Sequence, residues 1–221
     1  MRHPTASWFD PDKIIKDILW RDIVYASTFA KGKLLDIGCG NKPYKSLLAP
    51  FIHSYTGIDG HSKKADIHGN FFKIPIKKTS YDTILCTQVI EHVPSPDALI
   101  AKIHRILKKQ GICILTAPLV AALHEEPHDY YRFTKYALTN LLQTNGFEIL
   151  ILREEGDWIS SNITMIAFYL EVTYNRYFLR YPKKIVIAFL MLLGTALGHL
   201  PGRITKPVKY PMNYLVIAKK K

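Results

Sequence analysis

The chain is poor in cysteine, almost without acid in its last third, and lacks an apolar run long enough to span a bilayer. Its three cysteines, Cys39, Cys86 and Cys113, sit in or beside predicted strands with no metal-like spacing. They are expected as reduced thiols of a cytosolic protein, which excludes a disulfide-stapled fold. The opening residues Met1-Arg2-His3-Pro4-Thr5-Ala6-Ser7-Trp8 lack the apolar run of a secretory signal, which also points to the cytoplasm. The most apolar uncharged stretch, Ile185–Leu200, has sixteen residues. As a helix it would measure about 24 Å, short of the roughly 30 Å hydrocarbon core. Internal repeats and low-complexity tracts are missing too.

With 221 residues, about half of them apolar and about a fifth charged, the chain can bury one good core plus an elaboration. Its net charge of +12 is unevenly spread. Residues 1–158 carry 20 Lys/Arg against 17 Asp/Glu, whereas residues 159–221 carry 10 against Glu171 alone. The basic excess coincides with the densest apolar sequence, a combination that suits a membrane surface before nucleic acid.

Ile14, Ile15, Ile18, Leu19, Ile23 and Val24 recur at helical spacing and predict an amphipathic lead-in helix within residues 1–32. Strand-like runs follow at Lys33–Ile37, Ser54–Asp59, Asp82–Thr87 and Gly111–Ala117, with helical patterns at Tyr44–Phe51 and Pro96–Leu107. Strands alternating with helices predict a parallel sheet covered on both faces. Thr134 is placed to cap a helix through Leu141 and Leu142 that stops at Asn145-Gly146. A strand from Phe147 to about Arg153 closes the core, taken as residues 33–158. The last strand is Asn213–Ala218, within a final segment 212–221. The insertion between them, residues 159–211, is far too long for a hairpin loop.

The chemistry is concentrated at the strand ends. Asp36-Ile37-Gly38-Cys39-Gly40 follows an apolar strand, and a second strand ends in Asp59. Glycines allow a sharp turn and close approach to a ligand, and a carboxylate at the next strand end can accept from ribose hydroxyls. A nucleoside-containing cofactor is therefore expected. A nicotinamide site would need glycine where Pro43 stands. A tight turn at Gly38 and Gly40, or a helix cap at Asp59, is the plainer alternative.

The ordered set of this glycine loop, Asp59 and Ser80-Tyr81-Asp82-Thr83-Ile84-Leu85-Cys86-Thr87-Gln88-Val89-Ile90-Glu91-His92-Val93 resembles the class I S-adenosylmethionine-dependent methyltransferases. The likeness is to their small-molecule branch, which includes the quinone-biosynthesis enzymes. It covers about Lys33 to Ala117, more weakly to Arg153, and the final strand. It implies an α/β, Rossmann-like three-layer sandwich with a seven-stranded, mostly parallel sheet whose last strand is antiparallel, and a helical insertion before that strand. It also implies S-adenosyl-L-methionine as cofactor, held by Asp36, Gly38, Cys39, Gly40, Asp59, Asn70 and Phe71. The backbone of Thr87 and Gln88 would line the methyl pocket, unless these residues simply start the next helix. Asn70 stands where many members have aspartate; its amide oxygen can serve adenine without charge assistance, or the residue can be an ordinary turn. Lys42 replaces a frequent third glycine and either caps the loop or faces solvent.

Histidine is the natural base for a hydroxyl acceptor near neutral pH. His92 follows the fourth strand. His128 lies in Glu125-Glu126-Pro127-His128-Asp129-Tyr130-Tyr131-Arg132-Phe133-Thr134, on the same edge of the sheet. Both are catalytic candidates, with Tyr131 and Arg132 as substrate contacts; the alternative is a helix anchor with Arg132 paired to Glu125 or Glu126. No metal is expected, because Pro127 breaks the helix that a zinc-protease reading of His124–His128 requires.

The insertion is expected as a helical pair lying on the inner face of a membrane, flanked by Arg176, Tyr177, Arg180, Lys183, Lys184, Arg203, Lys206 and Lys209. A lid or a homodimer interface is the alternative, and a true span is less favoured. The expected activity is O- or C-methylation of a small or lipid-linked acceptor in cell-envelope sugar, lipid or quinone metabolism. Two other readings stand beside it: a cofactor-binding protein with a degenerate site, and a nucleic-acid methyltransferase. The latter lacks an Asn/Asp-Pro-Pro-Tyr/Phe motif, and no nucleic-acid partner is expected.

Overall fold

Residue patterns become elements in the expected order. The chain forms α1 (Lys13–Ala26), β1 (Lys33–Ile37), α2 (Lys45–Leu48), β2 (Ser54–Asp59), β3 (Ile67–His68), β4 (Tyr81–Thr87), α3 (Pro96–Ile106), β5 (Leu107–Pro118), α4 (Lys135–Thr144), β6 (Phe147–Glu155), α5 (Trp158–Tyr174), α6 (Arg180–Gly198) and β7 (Asn213–Lys220). The computed structural model describes residues 6–174, 180–198 and 210–221. Arg176, Tyr177, Arg203, Lys206 and Lys209, expected at the membrane flank, lie outside the described residues.

Two compact units are present. The larger comprises Asp22–Pro118, Leu123–Arg153 and Tyr214–Lys221; the smaller comprises Met1–Arg21, Leu119–Ala122 and Glu154–Asn213.

The larger unit is the helix-flanked sheet, a Rossmann-like arrangement with strand order β3-β2-β1-β4-β5-β7-β6. The pairs β1–β2, β1–β4, β2–β3 and β4–β5 are parallel. Lys221 N–H donates to the Gly146 carbonyl just before β6, and Met212 N–H donates to Glu155 at its end. The two strands therefore run in opposite directions. Leu34, Leu35, Ile84, Leu85, Ile114, Leu115 and Ile217 are fully buried, as near-continuous apolar strands of a covered sheet should be.

Local sequence explains the boundaries. Ser95 caps α3 through Ala98 N–H at 3.4 Å, and Thr134 caps α4 through Ala137 N–H at 3.2 Å. Gly146 ends α4's turn at φ +83°. Three expectations are adjusted. The Tyr44–Phe51 helix is one α turn followed by a 3-10 turn at Ala49–Phe51, because Pro50 has no N–H to continue the ladder. β5 begins at Leu107 and not Gly111: the partner of Tyr81 is Leu107 but that of Thr83 is Ile112, so residues 108–111 form a bulge. β7 extends to Lys220, whose ammonium reaches the carbonyls of His104 and Leu107 at 2.7 and 2.9 Å.

In the smaller unit, Ile14 and Ile18 of α1 pack with Ile163 and Ala167 of α5, Ile187 and Met191 of α6, and Met212. The opposite surface of the helical pair stays apolar: Ile166, Tyr169 and Val172 on α5 and Ile185, Phe189 and Leu192 on α6 are all exposed. Among the described residues, no helix is long and apolar enough to cross a membrane.

Candidate functional site

The site is built at the carboxyl ends of β1, β2 and β4 in the larger unit, the edge where open α/β sheets bind ligands. The glycine loop leaves β1 and folds onto β2: Gly38 and Cys39 N–H both donate to the Ile58 carbonyl, at 2.9 and 3.1 Å. Gly40 N–H donates to Asp59 Oδ2 at 2.9 Å. Its amides are thus spent on β2, so a ligand meets the loop by close approach and through Asp59. Gly38 is required twice over. Its φ is +69°, and a Cβ there would lie 2.3 Å from Val89 Cγ2.

Asp59 Oδ1 accepts from His61 and Ser62 N–H at 2.7 and 2.8 Å. Burial pushes its pKa up, but these donors and Gly40 outweigh burial and hold the carboxyl below its ordinary range. A carboxylate has about four acceptor sites, and three N–H groups use three, which leaves one for a ribose hydroxyl. The cap reading and the ligand reading of Asp59 are therefore compatible.

Asp36 is buried at the floor of the loop and accepts a hydrogen bond from the Tyr55 hydroxyl. Burial pushes its carboxyl up to about 7, against that bond; Asp59 acts in the same direction as burial and Lys42 opposes it. Cys39 is buried with its sulfur against Gly57, so the loop presents its main chain and not its thiol. Lys42 sits at φ +57° in the position of the missing glycine. Its ammonium reaches Asp66 Oδ1 at 2.6 Å, while Asp66 Oδ2 accepts from Gly57 N–H at 2.7 Å. Lys42 therefore ties the loop to the β2–β3 connection and does not trail into solvent.

Asn70 is exposed, and its Oδ1 accepts from Phe72 N–H at 2.8 Å. One lone pair and the amide group remain for a ligand. Phe71 is buried beneath Lys102, whose ammonium lies 4.6 Å from its ring centroid and bonds the Phe72 and Ile74 carbonyls at 3.1 and 3.0 Å. Gln88 follows β4 at φ +52°, its amide donating to Thr116 Oγ1 at 3.0 Å. Thr87, half-buried, precedes it.

The fold brings His92 to the His128 segment, 36 residues away. His92 Nδ1 lies 2.8 Å from the His128 carbonyl, which can only accept, so Nδ1 carries the proton and Nε2 is the basic nitrogen. Tyr130 N–H donates to the Glu91 carbonyl at 2.9 Å, and Tyr131 OH donates to Pro94 at 3.0 Å. Arg132 grips both oxygens of Asp129, at 2.6 and 2.8 Å. Asp129 is therefore a bidentate partner of Arg132, where the sequence alternative named Glu125 or Glu126. That hydrogen bond, opposed by burial, holds the Asp129 carboxyl well below its usual range. The His128 ring is exposed, its Nδ1 3.3 Å from the Tyr130 hydroxyl.

Sequence reasoning missed Glu91 and His124 as site residues. Glu91 is fully buried, and burial pushes its carboxyl up to about 8 against the pull of Arg132. The His92 and His124 rings meet edge to face with centroids 4.7 Å apart. Glu91 was legible only as the first half of Glu-His; His124 was weighed only in the zinc-protease reading of His124–His128, and its meeting with Glu91 needs the loop's path.

These residues fit S-adenosylmethionine: Gly38 lets the loop pack on Val89, Gly40 faces open space where a Cβ would meet nothing within 4 Å, and Asp59 keeps an acceptor site at the adjoining strand end.

A methyltransferase-domain family model matches residues 13–152. The chain is 27% identical over 179 residues to a ubiquinone biosynthesis O-methyltransferase of Pasteurella multocida, covering 59% of this chain and 74% of that one. Among solved structures it is similar to the 4+2 cyclase SpnF, with TM-score 0.58 and 19% identity over 93% of this chain and 81% of that one. It is also similar to phosphoethanolamine N-methyltransferase 2 of Haemonchus contortus in complex with S-adenosyl-L-methionine. That likeness has TM-score 0.58 and 16% identity over 96% of this chain and 56% of that one. At these identities the structural likeness is one of fold.

Proposed function

The chain belongs to the methyltransferase-domain family and is an S-adenosylmethionine-dependent methyltransferase; we propose that it methylates a hydroxyl of a small or lipid-linked acceptor, as in quinone or cell-envelope metabolism. The observation that carries this reading is the proximity in the chain and fold of two groups. Val89 packs at Gly38 in the cofactor loop, and Glu91 and His92 follow it directly at the same strand end. The name of the Pasteurella relative favours oxygen over carbon.

S-adenosylmethionine supplies a methyl group on a sulfonium, an electrophile that needs no further activation. The chain's part is to position the nucleophile and deal with its proton. The Gly38–Gly40 loop and Asp59 hold the cofactor, with Asn70 toward adenine. His92 Nε2, freed as the basic nitrogen by the His128 carbonyl, is the proton acceptor at the β4 end, and His128 on the facing loop is the alternative. Tyr131 and Arg132 keep that loop against the site through Pro94 and Asp129.

The acceptor's location is part of the proposal. The exposed Ile185, Phe189 and Leu192 on α6 lie at i, i+4 and i+7, so they form one stripe, and the segment is strongly basic. Such a surface suits peripheral binding to an anionic cytoplasmic leaflet. Methyl transfer from labelled cofactor to catechol-type phenols and to lipid-linked sugars, in solution and on vesicles, tests the reading. Transfer to an oxygen supports it; cofactor binding with no transfer to either class, or with transfer only to carbon or nucleic acid, would overturn it.

A further inference from the structure

Three side chains at the β4 edge remain without a common explanation. Glu91, His92 and His124 come from two segments more than thirty residues apart, and one ligand atom of each lies within 4.8 Å of the others. Glu91 is fully buried, yet neither carboxylate oxygen has a hydrogen-bond partner. Burying a carboxylate this way is costly unless something positive meets it. His92 Nε2, a second potential ligand atom, lies 3.9 Å from Oε1.

We propose that Glu91, His92 and His124 bind one divalent transition-metal ion of the zinc class. Two imidazoles and one carboxylate form a donor set that suits zinc, iron or cobalt and disfavours magnesium or calcium, which take oxygen ligands. Each histidine already has the outer partner that metal-binding imidazoles use. His92 Nδ1 is held by the His128 carbonyl at 2.8 Å, and His124 Nδ1 faces Asp129 Oδ2 at 3.5 Å. Asp129 is itself fixed by Arg132 and by His124 N–H. His92 thereby offers Nε2 toward Glu91, and with Nδ1 on Asp129 the nitrogen that His124 would give a metal is Nε2. Tetrahedral ligands at about 2.1 Å from a metal stand about 3.4 Å apart, against 3.9 Å between His92 Nε2 and Glu91 Oε1 and at most 4.8 Å within the group.

Three protein ligands leave one position open, the arrangement of catalytic and not structural sites. Resting on the methyl-transfer reading, the open position takes the acceptor's hydroxyl oxygen. The O–H bond then breaks heterolytically, the proton passing to water and the electron pair remaining on oxygen. In the metal-loaded protein His92 is a ligand, and the metal replaces it as the means of ionising the acceptor. The sequence expectation of no metal considered the His124–His128 stretch alone; the ligands instead combine one end of that stretch with β4's end.

The test uses the full chain, stripped by chelator dialysis and titrated with Zn2+ in competition with a chromophoric chelator, and with Co2+ followed by visible absorption. One equivalent should bind, with cobalt ligand-field bands of a four- or five-coordinate site. Glu91→Gln and His124→Ala should each weaken binding at least tenfold, and Asp129→Asn should weaken it less. Melting curves identify any variant that fails to fold, in which case the remaining variants decide. No stoichiometric binding, or binding unchanged in the folded variants, overturns the proposal. Calorimetry with S-adenosylmethionine separates the two readings. Cofactor binding without metal binding rejects only the metal site, and metal binding without cofactor binding rejects only the methyl-transfer reading.

Discussion

Gly40 N–H donates to Asp59 Oδ2 at 2.9 Å, joining the cofactor loop of β1 to the carboxylate of β2 before any ligand arrives. The loop is thus preorganised by β2, and its changes should be felt in stability and binding together.

Gly38→Ala should show this coupling. Alanine at φ +69° costs about 1–2 kcal/mol, and its Cβ would collide with Val89. Thermal melting should fall by roughly 5 °C or more. Calorimetry should show S-adenosylmethionine affinity reduced at least tenfold. Unchanged melting and affinity would refute the tight packing of loop on β4.

Lys42→Gly makes the opposite prediction. Glycine relieves a left-handed lysine worth about 1–2 kcal/mol, and the half-exposed pair with Asp66 is worth about 1 kcal/mol or less. Stability should hold or rise slightly in a denaturant melt, with cofactor affinity retained. A large loss of affinity would mean that Lys42 touches the ligand.

Asp36 sets a pH dependence. Its folded pKa, pushed up to about 7, lies above the unfolded value of 3.8, so the folded state binds the extra proton between these values. Its contribution therefore declines as pH rises from about 4 to 7, by roughly 4 kcal/mol at most. Asp36→Asn removes the slope while keeping an acceptor for Tyr55. The variant should match the parent near pH 4 and exceed it above pH 7 in urea melts; parallel pH profiles would exclude the raised pKa.

The basic, apolar helical pair gives the membrane prediction. Phe189 and Leu192 are 62% and 56% exposed, and each apolar side chain buried in lipid contributes roughly 1.5–3 kcal/mol. Sedimentation with anionic vesicles should recover the parent chain and lose the F189S/L192S double variant by more than tenfold. Equal binding to neutral vesicles, or a dimer abolished by the same variant, would reassign the surface.

Much of this was legible in the sequence. β2 has the bounds expected from its strand-like run Ser54–Asp59, and α4 announces both ends through Thr134 and Gly146. β3 was invisible because two residues, Ile67 and His68, make no pattern. The β5 bulge was invisible because register is a property of two strands. At the site, glycine spacing and Asp59 pointed to a nucleoside-containing cofactor, and S-adenosylmethionine followed only from the ordered set with the fourth-strand motif. The meeting of Glu91–His92 with His124 depends on a loop's return path, which local sequence does not encode.

The most direct test of the central claim is calorimetric titration of S-adenosylmethionine into the full chain and into Asp59→Ala. The account predicts one site of micromolar affinity in the parent. The variant should bind at least tenfold more weakly, losing both the ribose contact and the Gly40 tether. Equal affinity in the two proteins, or no binding by the parent, would contradict it.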